Sequence, residues 1–189
     1  MPQSPDQGPQ QDAYDYIIIG AGSSGCVLAN RLSADPNNRV LLLEAGGADV
    51  NPWIHVPVGY FKTMHNPGTD WCYMTEPDTG INQRRLQWPR GKVLGGSSSL
   101  NGLLYVRGQA EDYDRWEALG NKGWSYENVL PYFKKSEDQE RGENKYHGVG
   151  GPLKVSDLRL RRPIADHFIE AAIQAGIPRN HDYNGENFA

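Results

Sequence analysis

The chain has 189 residues, 38% of them hydrophobic, with 22 glycines, two cysteines and a formal net charge of −4. That length suits one folded domain with a substantial core. The charge argues against a nucleic-acid partner, because neutralising phosphates takes a concentrated excess of Lys and Arg.

Residues 1–12 are polar and rich in Pro and Gln. They lack the basic start and apolar stretch of a signal peptide, which predicts a disordered tail on a cytoplasmic protein. No stretch approaches the roughly 20 apolar residues needed to span a bilayer, so no transmembrane segment is expected. The folded region then runs over residues 13–189.

The first informative feature is the apolar run Tyr14-Asp15-Tyr16-Ile17-Ile18-Ile19, followed by the glycine turn Gly20-Ala21-Gly22-Ser23-Ser24-Gly25. A helix-like stretch from Cys26 to Leu32, a second apolar strand Arg39-Val40-Leu41-Leu42-Leu43 and the acid Glu44 come next. Strand, glycine turn, helix, strand and acid in that order predict a dinucleotide-binding βαβ unit. Gly20 permits a tight turn, Gly22 lets the backbone approach a pyrophosphate, and Gly25 clears space where helix meets strand. The helix starting near Ser23 points unpaired N–H groups and its positive dipole end at the phosphates. Glu44 can accept hydrogen bonds from both ribose hydroxyls of an adenosine, and an acid here disfavours the 2′-phosphate of NADP.

From 47 to 90 the chain is punctuated by Pro52, Pro57, Pro67, Pro77 and Pro89, which predicts a loop-rich segment with short strands. Its aromatics, among them Trp53, Tyr60, Trp71, Tyr73 and Trp88, either pack over something flat or supply core where aliphatics are scarce. The next stretch, Arg90 to Tyr105, carries Gly95-Gly96-Ser97-Ser98-Ser99 between apolar residues Val93, Leu94, Leu100, Leu103 and Leu104. Those flanks would hold the small residues in the interior, where they offer amides and hydroxyls to a diphosphate or a polar ring edge. Asn101 can both donate and accept.

Ser125 is a good N-cap for a helix from about Tyr126 to Glu137, with Trp124 and Val129 as a hydrophobic staple and Pro131 as a kink. Gly151 to Val155 reads as a short strand. Pro163 suits a first helical turn, and Ile164, Phe168, Ala171, Ala172 and Ala175 fall on one face before Gly176 ends the helix. Asp112, Asp114, Glu117, Glu137 and Asp138 read as solvated faces, and Arg159 to Arg162 as a solvated loop. Cys26 and Cys72 carry no metal spacing, no metal site is expected, and Cys26 reads as a buried reduced thiol. His55, His65, His147, His167 and His181 each lack a partnering acid in their local sequence, so structural or solvent-facing roles are expected and no catalytic residue is assigned.

Tyr14 to Gly46 together with Gly91 to Asp114 resembles the glucose–methanol–choline oxidoreductase family. The fingerprint ending in Glu44-Ala45-Gly46 and the signature Gly91-Lys92-Val93-Leu94-Gly95-Gly96-Ser97-Ser98-Ser99-Leu100-Asn101 carry the likeness. Asp70-Trp71, Thr75-Glu76-Pro77, Asp112-Tyr113-Asp114-Arg115-Trp116, Gly123-Trp124-Ser125 and His147-Gly148-Val149-Gly150-Gly151-Pro152 also fit. Within the family the look is that of choline-dehydrogenase-like, FAD-dependent alcohol dehydrogenases.

The resemblance implies an α/β fold: an incomplete, Rossmann-like FAD-binding domain with a parallel sheet, flanking helices and loop-rich insertions. It places Gly20, Gly22, Ser23, Ser24 and Gly25 on the FAD pyrophosphate and Glu44, followed by Ala45, at the adenosine ribose. Arg90, Gly91, Val93, Gly95, Gly96, Ser97, Asn101, Gly102, Leu103 and Leu104 would line the diphosphate and isoalloxazine side, with Trp71 near the flavin. Some members attach the flavin through a histidine just before the signature asparagine; Leu100 stands there, so non-covalent FAD is expected. The implied reaction is oxidation of a small-molecule alcohol, with oxygen or a quinone-like compound as electron acceptor. Members are much longer, with a catalytic histidine at a position beyond Ala189, so the substrate domain is expected to be largely absent. Other readings are a flavin-binding module without activity and a light-driven flavin decarboxylase. Nicotinamide dehydrogenases share the first motif, but would not require the segment from Gly91 to Asn101. The central expectation is that both glycine stretches face one flavin nucleotide.

Overall fold

A computed structural model describes residues 13–186, and the predicted tail lies outside them. The chain divides into two compact units, one up to Leu104 and one from Tyr105.

The first unit begins with β1 (Tyr16–Ile19), α1 (Ser23–Leu32) and β2 (Val40–Leu43). β1 and β2 pair in parallel, from Tyr16 beside Val40 to Ile19 beside Leu43. Parallel neighbours need a crossover, which α1 supplies. A β-carbon on Gly25 would lie 1.9 Å from the Gly20 carbonyl oxygen and 3.4 Å from the Ile18 side chain, so only glycine lets α1 settle on the strand. The expected parallel sheet is here a two-stranded pair, and its burial is one-sided: Ile18 is 8% exposed and Ile19 86%.

The proline-rich segment that follows folds into short pieces, because each proline suits a first turn and prevents the preceding one from continuing. Turns of 3-10 helix at Pro52–His55 and Pro57–Gly59 lead into α2 (Tyr60–Thr63). β3 (Tyr73–Met74) then pairs antiparallel with β4 (Gln87–Trp88).

The second unit holds α3 (Ala110–Ala118), α4 (Tyr126–Ser136), β5 (Glu137–Gln139), β6 (Leu153–Val155) and α5 (Pro163–Gln174). Gln109 and Asp112 form a capping box at the start of α3. Edge-to-face pairs join Tyr113 to Phe133 at 5.7 Å and Trp116 to Trp124 at 5.8 Å, locking α3 against α4. Ser125 is the N-cap of α4, but its hydroxyl is taken by the Asn128 side chain and the Tyr126 amide donates to Asp114 instead. β5 and β6 are parallel, with Glu137 beside Leu153.

Three readings of single residues need correction. Cys26 is exposed rather than buried, because the register of α1 turns it outward; its thiol still donates to the Ala21 carbonyl. Glu137 is 0% exposed rather than a solvated acid. Its carboxylate meets the Arg107 guanidinium at 2.8 Å, the Gly148 amide at 3.0 Å and His147 Nδ1 at 3.0 Å. His147, 4% exposed, does have acidic partners, since Asp182 closes on its Nε2 at 2.9 Å. The apolar face of α5 is formed as the periodicity predicts, yet Ile164 and Phe168 are exposed. Among the described residues no helix is long and apolar enough to cross a membrane.

Candidate functional site

Within the first unit the two glycine stretches meet. The Gly95 amide donates to the Ala21 carbonyl at 2.8 Å, and the Leu94 amide to Gly47 at 2.9 Å. Gly96 has φ +58°, and a β-carbon there would stand 2.8 Å from Gly22 Cα, so the loops touch backbone to backbone. Ser97 folds back to accept from the Gly91 amide at 3.2 Å. Beside this contact, at the C-terminal ends of β1 and β2, lies a cleft of about 640 Å³. Open α/β sheets bind ligands at that end of their strands.

Nine of the residues singled out in the sequence line the cleft: Gly20, Gly22, Glu44, Ala45 and Trp71, with Arg90, Gly91, Gly96 and Ser97. Ser23 and Ser24 stand in the exposed first turn of α1, while Gly25 is buried behind them. Val93 is buried under the second loop and Gly95 holds that loop to the first. Asn101, Gly102, Leu103 and Leu104 are exposed and do not line the cleft. Ile19, Leu43 and Tyr73 line it without having been assigned a site role. The strand-end positions of Ile19 and Leu43, directly before Gly20 and Glu44, were the signal that could have found them.

The chemistry of the cleft is that of an anion site with a polar acceptor at one end. No side chain caps the N-terminus of α1 and no acid occupies its first turn, so the helix dipole and the first-turn amides are available to a ligand. Glu44 is fixed by two backbone amides, Ala21 N–H to Oε2 at 2.7 Å and Gly46 N–H to Oε1 at 2.8 Å. Each carboxylate oxygen keeps further acceptor capacity. Trp71 and Tyr73 stack at 5.8 Å with their planes 6° apart, and the Lys92 ammonium sits 4.7 Å from the Trp71 ring.

Next to Trp71 in the chain, the Asp70 carboxylate is buried and accepts three backbone N–H bonds, from His65, Cys72 and Arg90. Burial alone would raise its pKa, but the three donors and the nearby His65 together hold it below the ordinary aspartate value. No histidine or cysteine lines the cleft among the described residues. Among those residues, too, no cluster of three or more His, Cys, Asp or Glu is arranged to hold a metal ion.

Comparison with known proteins decides what kind of molecule this is. The family described as GMC oxidoreductase matches residues 14–189. The chain belongs to the GMC oxidoreductases. Among the similar GMC relatives, the oxygen-dependent choline dehydrogenase of Sinorhizobium fredii is 51% identical over 171 residues, covering 90% of this chain and 31% of that protein. An alcohol dehydrogenase [acceptor] of Pseudomonas putida is 50% identical over 173 residues, again 91% of this chain and 31% of the relative. The crystal structure of pyridoxine 4-oxidase from Mesorbium loti superposes with a TM-score of 0.85 at 38% identity, covering 91% of this chain and 34% of that one. The chain thus spans about 31% of the length of these curated GMC relatives.

Proposed function

We propose that this GMC chain binds FAD in the cleft at the ends of β1 and β2, as the flavin-holding part of an enzyme that oxidises a small alcohol. The observation that carries the reading is Glu44: its carboxylate is held by the Ala21 amide of the first glycine loop and by the Gly46 amide just after β2, at the place where an adenosine ribose would meet it. The remaining parts fit the same ligand. Gly20 and Gly22 line the cleft, and a β-carbon on either would meet nothing within 4 Å, which leaves open space for a pyrophosphate against bare backbone. In this reading Ser23, Ser24 and the first turn of α1 donate to the phosphates, and Gly25 sets the helix in place.

The second loop then serves the other end of the dinucleotide. Arg90, Gly91, Gly96 and Ser97 offer amides, a hydroxyl and a positive charge, while Trp71 gives a flat apolar wall. Val93 and Gly95 shape that loop from behind, and Asn101 to Leu104 continue it toward the flavin ring. Leu100 is buried and has no nucleophile, so the cofactor is held without a bond at this position.

FAD, when bound, would accept a hydride from the carbinol carbon, leaving an aldehyde or ketone, and would pass electrons to oxygen or a quinone-like acceptor. The chain's own residues bind and orient. With no histidine at the cleft, the base that removes the hydroxyl proton is not assigned within this chain.

The test is an absorption spectrum of the purified full-length protein, followed by anaerobic addition of a panel of small alcohols. Flavin bands that bleach with at least one alcohol are expected, and denaturation should release free FAD into the supernatant. A protein without flavin bands refutes the cofactor; bands that no alcohol bleaches refute the reaction; flavin retained on the denatured chain refutes the non-covalent attachment.

A further inference from the structure

Five non-glycine residues among those described have positive φ, and two of them, His65 at 61° and Cys72 at 54°, donate their backbone N–H to the same carboxylate. A residue with a β-carbon occupies that region at a free-energy cost, and such strain persists only where the surroundings over-determine it. Here the surroundings are Asp70, 2% exposed, with Oδ2 accepting from His65 at 2.7 Å and Oδ1 from Cys72 and Arg90 at 2.9 Å each. The three donors come from two separate stretches of chain. Two more ties join them: Trp71 N–H to the Arg90 carbonyl at 2.9 Å and Lys92 N–H to the Thr69 carbonyl at 2.8 Å.

The left-handed Cys72 is the residue that links Trp71 to Tyr73, whose rings stack, and the third donor belongs to Arg90. Trp71, Tyr73 and Arg90 all line the cleft. Asp70 itself does not line it. We infer that Asp70 is a positioning residue: its buried carboxylate holds two strained turns so that the Trp71–Tyr73 ring pair and Arg90 form one preset wall of the cofactor cleft. This inference rests on the flavin reading of the cleft. It assigns the wall's geometry to a side chain the ligand never touches.

The chemistry of the acceptor predicts a graded response. Asparagine keeps one oxygen, which can serve Cys72 and Arg90, but turns an N–H2 group toward the His65 amide; alanine removes every acceptor. Glycine at 72 adopts the left-handed conformation without strain, so it should restore the wall when the carboxylate is gone.

The experiment uses the full-length flavin-loaded protein and reads the rate of FAD release on dilution, the visible circular dichroism of the bound flavin, and amide exchange at residues 65, 72 and 90. Asp70→Ala should speed release about tenfold or more, the scale expected when hydrogen bonds to a charged group are lost. It should also change the flavin dichroism and open the three amides. Asp70→Asn should fall between alanine and wild type, and Cys72→Gly added to Asp70→Ala should recover most of the release rate and the dichroism. A folded Asp70→Ala protein with wild-type release and dichroism overturns the inference, as does a glycine double variant with no recovery. If the alanine variant does not fold, Asp70→Asn with wild-type release and dichroism overturns it equally. A wild-type protein that carries no flavin refutes the cofactor reading first, and this inference with it; a flavin-loaded wild type whose release rate and dichroism are matched by every variant refutes this inference alone.

Discussion

At Gly96 there is no room for a methyl group. The residue has φ +58°, and an added β-carbon would come within 2.8 Å of Gly22 Cα, the backbone of the other loop. Gly96→Ala must therefore push the two loops apart, in addition to a left-handed backbone strain of about 1 kcal/mol. Flavin affinity is expected to fall by about tenfold or more, measured by titration of the flavin-depleted full-length protein with FAD. Gly142→Ala is the matching control: its φ is +94° but its β-carbon would meet nothing within 4 Å, so it should lose stability by about the same 1 kcal/mol while leaving affinity unchanged. Gly96 was legible in the sequence because it stands in a run of small residues with apolar flanks, although the Gly22 backbone that demands it comes from a remote stretch of chain. Asp70 was visible only as half of the pair Asp70-Trp71, with no role. Its donors sit five residues before, two after and twenty after it, a spacing that matches no helix or strand period.

At the scale of elements, the second unit is organised around charge. β5 opens on Glu137, whose carboxylate joins Arg107, His147 and the Gly148 amide, while His147 passes on to Asp182. Asn184 extends the lattice, accepting from the Arg107 amide at 2.8 Å and donating to the Tyr105 carbonyl at 2.9 Å. A buried pair gains little over an apolar replacement, but removing one partner strands the other in low dielectric. Glu137→Ala should therefore cost about 3–5 kcal/mol, read from the urea midpoint. Removing the exposed Glu143, 3.4 Å from Lys134, should cost about 0–1 kcal/mol. Sequence reasoning missed this cluster because an acid at the end of an amphipathic helix looks solvated, and because its members are far apart in the chain, Arg107 lying 30 residues before Glu137 and Asp182 lying 35 after His147. Two of the unit's helices were legible, since Pro163 and Gly176 bracket α5 and Ser125 precedes α4, whereas α3 was not predicted. Periodicity tells which side of α5 is apolar, not what covers it.

For the molecule as a whole, the first unit has the parallel βαβ start that its glycine spacing predicts, and the GMC assignment covers all but the first residues. What the pattern could not supply is burial. Apolar side chains on β1 and α5 face outward, with Phe168 75% exposed. Large apolar patches on a monomer mark surfaces that take a partner or bind dye. The 189-residue chain expressed by itself is expected to enhance the fluorescence of an apolar dye such as ANS. Changing Ile164 and Phe168 together to Gln should reduce that signal while shifting stability by no more than about 0.5 kcal/mol for each change, as surface substitutions do. An unaltered dye signal would mean that the α5 face is covered in solution.

Glu44 carries a consequence for kinetics. With a backbone amide on each oxygen, its rotamer is frozen before any nucleotide arrives, and a binding partner already in its final pose spares the complex the entropy of ordering it. The adenosine end should then dock in a single diffusive step with no lag, and the slow phase of cofactor loading, if one is seen, should belong to the isoalloxazine end.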